Sequence, residues 1–299
     1  MTELSMQTVA QGFTYLECPR WHDGRLWVSD FYTHQVVAVD ANGRVECVAQ
    51  VPQQPSGLGF LPDGRALIVS MRDRRILRRE PSGELVTHAD LMAHAPWHLN
   101  DMLVDSQGRA YVGNFGFDIM TGAAEATTCI LRVDPDGSVA VAADGLMFPN
   151  GTAITPDGRT LIVSESFAGC LTAFDVAADG GLSNRRVWAE LGLPYRAMHE
   201  QGAELEKVAV PDGLCLDAEG AVWVADAVRH CVLRIAEGGR ELQRISTGDL
   251  GVYACMLGGD DGRTLYLCAA PSFDEAERKA TRDGKLLATR VDVPHAGLP

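Results

Sequence analysis

The ten residues at 61–70, LPDGRALIVS, return almost unchanged at 155–165 as TPDGRTLIVSE, and this recurrence decides the fold. A Gly-containing turn followed by a short β-branched run is the punctuation of a hairpin. The same pattern occurs as HDGRLWVSD at 22–30, DSQGRAYVGN at 105–114, DAEGAVWVAD at 217–226 and GDDGRTLYLCA at 259–269. The turn glycines Gly24, Gly64, Gly108, Gly158, Gly220 and Gly262 stand 40, 44, 50, 62 and 42 residues apart. Six copies therefore fill the chain.

Each copy continues into a second run such as HQVVAVD (34–40) or CLTAFDV (170–176), and five copies add a third run after another turn. With one more strand ahead of each Gly turn, every repeat holds four strands in roughly 40–50 residues, the period of a β-propeller blade. The sixth copy lacks its last strand. The stretch Met6-Gln7-Thr8-Val9-Ala10-Gln11 resembles Glu46-Cys47-Val48-Ala49-Gln50 and is expected to supply it, closing the ring with both chain ends in one blade. An open sandwich or two stacked barrels would not place six glycines in one register. The expected architecture is all-β, one six-bladed propeller domain over residues 1–299.

With 299 residues, 46% of them hydrophobic, the chain is not disordered. Its net charge of −14, with no Lys/Arg-rich run, argues against nucleic acid or an anionic membrane as partner. No apolar stretch approaches the roughly 20 residues of a membrane span, and the first residues lack the pattern of a signal peptide, so a cytoplasmic protein is expected, as a monomer or small homo-oligomer. The eight cysteines form no CxxC pair and read as small apolar strand residues.

The innermost strand of a blade begins at one face of the central channel. Counting back eight residues from each turn glycine, or seven in the shorter first repeat, gives Glu17, Ser56, Asn100, Asn150, Asp212 and Ala254. Pro149-Asn150-Gly151 and Pro211-Asp212-Gly213 can each be read as ordinary turns. Against that, every blade already has its own Gly turn, and Glu17 and Asn100 need none. Two carboxylates and two amides converging with no Lys or Arg at their level call for a cation between them. All the donors are hard oxygens, which places Ca²⁺ first, with Mg²⁺, Mn²⁺ or Zn²⁺ as alternatives. The long segments 115–128, 188–210 and 271–284 fall on the same face and are expected to wall a substrate site, with a short helix within Ala197–Lys207.

The segments 16–21 (LECPRW), 99–105 (LNDMLVD), 149–151 (PNG) and 211–217 (PDGLCLD), in that order along nearly the whole chain, resemble the gluconolactonase / regucalcin (senescence marker protein) / luciferin-regenerating enzyme family. The resemblance implies a six-bladed propeller and a divalent-metal-dependent hydrolase, commonly a lactonase. Carried over residue by residue, it makes Glu17, Asn150 and Asp212 metal ligands, Asn100 a further ligand or substrate contact, and Asp101 a substrate contact. The chain departs from the family pattern at three places. His98 stands where sugar-lactone members usually carry Arg, Cys18 replaces the usual Gly, and Gly113-Asn114-Phe115 replaces Gly-Thr-Met. His98, Phe117 and Phe148 are expected to face substrate. Together with Phe31, Trp97, Phe115 and Phe167 they suggest a less polar pocket than a sugar requires.

The expected reaction is hydrolysis of a small-molecule lactone, with the metal polarising the carbonyl and activating water, Asp212 as general base, and Asn100 donating to the oxyanion. Cys18 has no readable His partner for a nucleophilic role, and His199 and His230 are weaker site candidates than His98. Two other readings stay open: a hydrolase of phosphorus esters or fluorides, resembling diisopropyl fluorophosphatase, and a non-catalytic binding propeller whose metal is structural.

Overall fold

The computed structural model describes residues 6–297 and shows six four-stranded antiparallel sheets. The innermost strands are Leu16–His22, Pro55–Phe60, Leu99–Val104, Pro149–Ile154, Pro211–Leu216 and Gly251–Gly258. Each contacts the next, and the sixth contacts the first, so the sheets close into a six-bladed propeller. All six turn glycines take the left-handed backbone expected of them, with φ between 70° and 84°.

Closure is made by the N-terminal strand Gln7–Phe13, which pairs antiparallel with Gly284–Arg290 on the outside of blade six, as its likeness to Glu46–Gln50 implied. The core lies between blades: Leu16, Leu26 and Val37 of blade one pack in one cluster with Leu257, Leu267 and Leu286 of blade six. Deleting the chain through Phe13 would strip blade six of its edge strand and expose that seam. The expected result is aggregation, or a cooperative melt lowered by roughly 10 °C or more, read by size exclusion and calorimetry.

Helix is confined to the long connections. Ala197–Glu200 and the 3₁₀ turn Leu205–Lys207 occupy the segment where one short helix was expected. Glu275–Ala280 forms a further helix, with Asp274 accepting from the Glu277 N–H as its cap. Among the described residues no helix is long and apolar enough to cross a membrane.

Candidate functional site

Five of the six innermost strands are irregular at one place, one or two residues after they begin. The register against the second strand slips between Glu17 and Arg20, Pro55 and Leu58, Leu99 and Met102, Pro149 and Thr152, and Pro211 and Leu214. An extra residue in one strand breaks the pleat and re-aims a side chain, a device frequent beside active sites. Here it lets Glu17, Asn100, Asn150 and Asp212 line one cavity at the channel mouth.

The Asn-Gly and Asp-Gly pairs are not turns. Gly151 and Gly213 lie inside strands without the left-handed backbone of the turn glycines. A Cβ on Gly151 would sit 2.5 Å from the Asp212 carbonyl oxygen, and one on Gly213 would sit 2.4 Å from the Ala254 Cβ. Close approach of neighbouring innermost strands is what demands glycine there, which removes the ordinary-turn reading.

Two of the six register positions do not reach the cavity. Ser56 is fully buried, its Oγ 3.7 Å from the Cys18 Sγ. In blade six the register slip falls between Val252 and Ala254, so Tyr253 is the extra residue and lines the cavity, while Ala254 is buried in the core. Counting back a fixed eight residues assumes a constant bulge position, and blade six shifts it by one.

Glu17 and Asp212 are each 7% exposed. Burial pushes both carboxyls well above the ordinary range; the charge of Asp212 adds to the shift at Glu17, and that of Asp101 at both. The Asp212 Oδ1 is buried with no hydrogen-bond partner among the described residues. The Asn100 Nδ2 donates to the Pro149 carbonyl at 3.3 Å, and the Asn150 Nδ2 to the Ser166 Oγ at 3.2 Å, which in turn donates to the Pro211 carbonyl at 2.7 Å. Each amide Oδ1 is left as an acceptor outside these bonds. Among the described residues no Lys, Arg or His lines the cavity. An orphaned buried carboxylate oxygen and oxygen-only donors with no cationic side chain among them suit a hard divalent cation. Among the described residues no three His, Cys, Asp or Glu side chains cluster as a metal site; the set here is two carboxylates and two amides.

Cys18, next to Glu17, has a left-handed φ of 54°. That backbone is one glycine tolerates best, which accounts for the residue usual at this position in the family it resembles. Its thiol is buried and pushed up by desolvation, then by Asp101, the opposite of an activated nucleophile.

The other expected contacts divide. Phe148 lines the cavity. Phe117 stands behind it, its ring centroid 6.0 Å from Phe148 and 5.5 Å from Phe167. His98 opens instead on an adjoining cavity of about 240 Å³ that shares Phe31, Tyr32, Phe115 and Met120 with the first, and Trp97 lies there too. Asp101 is not among the residues that line either cavity. It is 2% exposed, and its Oδ1 accepts from the Arg20 guanidinium at 2.9 Å and from the Met102 N–H at 2.8 Å. Arg20, 4% exposed, also donates to the Met102 and Pro19 carbonyls. His199 packs edge-on to Tyr195, and the His230 Nδ1 lies 3.3 Å from the Gly248 carbonyl.

All three long segments reach the cavity, through Ile119 and Met120, Tyr195, and Phe273. Tyr15, Tyr32, Tyr195, Tyr253 and Phe273 were not singled out in the sequence. Tyr15 just precedes an innermost strand, and the others lie in loops or at the shifted bulge, where no periodicity marks them.

A six-bladed propeller with buried carboxylates and amides at one channel mouth defines the class. Residues 16–271 match the model of the SMP-30/Gluconolactonase/LRE-like region, and the chain belongs to this family. It is 29% identical over 250 residues to regucalcin of Danio rerio, covering 83% of this chain and 76% of that protein. To the 6-deoxy-6-sulfogluconolactonase of Pseudomonas putida it is 26% identical, covering 100% of this chain and 99% of that one. The solved structure of regucalcin from Agrobacterium tumefaciens superposes with a TM-score of 0.80 at 20% identity, covering 99% of this chain and 97% of that one.

Proposed function

We propose that the protein is a divalent-metal-dependent lactonase built as a single propeller domain, with Glu17, Asn100, Asn150 and Asp212 holding the ion, Ca²⁺ first. The observation that carries this reading is the buried pair Glu17 and Asp212, with one Asp212 oxygen lacking any partner and no cationic side chain lining their cavity. The full-length match to a sulfogluconolactonase supports ester-ring hydrolysis as the reaction.

When bound, the ion supplies Lewis acidity and makes water nucleophilic near neutral pH. The Asp212 carboxylate takes the proton of the attacking water and returns it to the ring oxygen that leaves, so lactone and water become a hydroxy acid. The Asn100 amide has two N–H groups and gives one to the Pro149 carbonyl, leaving the other for the tetrahedral oxyanion. The aromatic walls exclude water other than the nucleophile.

Stripping metal with EDTA should abolish hydrolysis across a pH-indicator lactone panel. Restoring Ca²⁺ at about 100 times its dissociation constant should recover it and stabilise the fold by about 2.7 kcal/mol, a Tm rise of roughly 5 °C. Full turnover after exhaustive chelation would overturn metal dependence.

A further inference from the structure

The cavity above Glu17 and Asp212 has a volume of about 140 Å³, the size of space that accepts a single benzene-like ring. Above the donor set its walls are aromatic. Phe115 stacks on Phe148 at 4.5 Å, Phe148 meets Phe167 at 4.9 Å, and Phe167 meets Tyr195 at 5.0 Å, a continuous wall on one side. Tyr15 against Tyr253 at 4.7 Å closes the other.

The rim is apolar as well. Met120 and Phe273 are 54% and 51% exposed, yet both line the cavity, from two separate long segments. Large apolar side chains held open to solvent at the mouth of a pocket mark a surface that a ligand covers.

Outside the donor set and Ser166, the polar side-chain groups lining the cavity are the hydroxyls of Tyr15, Tyr32, Tyr195 and Tyr253, each carried on an aromatic ring. The Ser166 hydroxyl is already engaged with Asn150 and Pro211, and the remaining side-chain oxygens at the cavity floor are those assigned to the cation. The Arg72 guanidinium lies in the adjoining cavity, where its Nε and Nη2 donate to Gln54 and Glu275. A ring substituted with several hydroxyls would set most of its polar surface against aromatic faces with only the tyrosine hydroxyls to pair it, and each hydroxyl buried without a partner is penalised.

We infer that the substrate is a small lactone with an apolar alkyl or aryl body, and not a polyhydroxylated sugar lactone. This rests on the lactonase reading above and adds the substrate class to it. The carbonyl end meets the donor floor, the body lies between the aromatic walls, and Met120 and Phe273 cover its outer edge. The relative named as a sulfogluconolactonase would then differ from this chain in what it accepts while sharing the fold.

The test compares dihydrocoumarin and δ-octalactone with glucono-δ-lactone on the Ca²⁺-loaded full-length protein. The expected kcat/KM is at least about 100-fold higher for the apolar pair. A Met120→Ser/Phe273→Ser variant, altered only at exposed side chains and checked for an unchanged Tm, should raise KM on the apolar lactones about tenfold and narrow the preference accordingly. Glucono-δ-lactone turned over as well as the apolar lactones, or a rim variant with unchanged KM, would overturn the substrate class and leave the lactonase reading standing. No hydrolysis of any of the three would overturn the lactonase reading, and this inference with it.

Discussion

Asp212→Asn should cut lactone turnover by roughly 10³-fold or more, and the metal-free variant should be more stable than the metal-free parent at neutral pH. The two outcomes have one cause. Asp212 is held beside Glu17 and near Asp101 in a site that removes water from it, so its folded-state carboxyl titrates above the ordinary range, through burial first and the charge of Asp101 second. A carboxyl raised on folding favours the folded state below its unfolded value and loses that contribution as the pH rises through the folded value. The penalty on the metal-free parent therefore grows as the pH rises above the unfolded carboxyl value. Asn keeps the shape and removes the charge, so the variant's advantage should be nearly absent at pH 4 and grow above it.

A gain of about 1–2 kcal/mol at pH 7.5 is the expected size, the range seen when a functional site is relieved of its strain. Calcium should raise the Tm of the parent and leave that of the variant almost unmoved. A variant retaining parental kcat/KM would remove Asp212 from both proposed roles. A metal-free variant less stable than the parent at pH 7.5 would mean that Asp212 serves the fold through bonds, with its charge of no account.

The blade repeat was legible because six turns need the same left-handed glycine, and a backbone requirement leaves a fixed mark in sequence. The convergence of Glu17, Asn100, Asn150 and Asp212 on one cavity was legible through the same register, since five of the six innermost strands carry their bulge at one place. Ala254 was misplaced because blade six moves its bulge to Tyr253, and repeat counting carries no information about where a strand slips. The placement of Asp101 was not legible for a different reason. It follows Asn100 directly, yet the Met102 N–H and a guanidinium from blade one turn its carboxylate away from the cavity. Among 40 acidic residues, no local pattern announces which one is captured by an arginine 81 positions away. The aromatic walls lie mainly in connections without periodicity, so their convergence depends on the closed ring.

Arg20→Met should destabilise the protein by about 3–5 kcal/mol, a Tm loss on the order of 10 °C for a chain of this size. The guanidinium spans the strands of blades one and three, holding Asp101 and the carbonyls of Pro19 and Met102. Methionine fills most of its volume but leaves the Asp101 carboxylate buried with only the Met102 N–H for company. The double variant Arg20→Met/Asp101→Asn removes that stranded charge and should recover at least half of the loss. The Arg20 Nε is itself buried without a partner, so the original pair is not optimal and its replacement is tolerated better than its rupture. Calcium affinity separates this account from simple packing. With Arg20 gone, the Asp101 charge acts unopposed near Glu17 and Asp212, so binding should tighten, whereas Asp101→Asn leaves Arg20 unopposed and should weaken it. If the double variant is no more stable than Arg20→Met, or if both single variants change calcium affinity in the same direction, the pair does not act through charge.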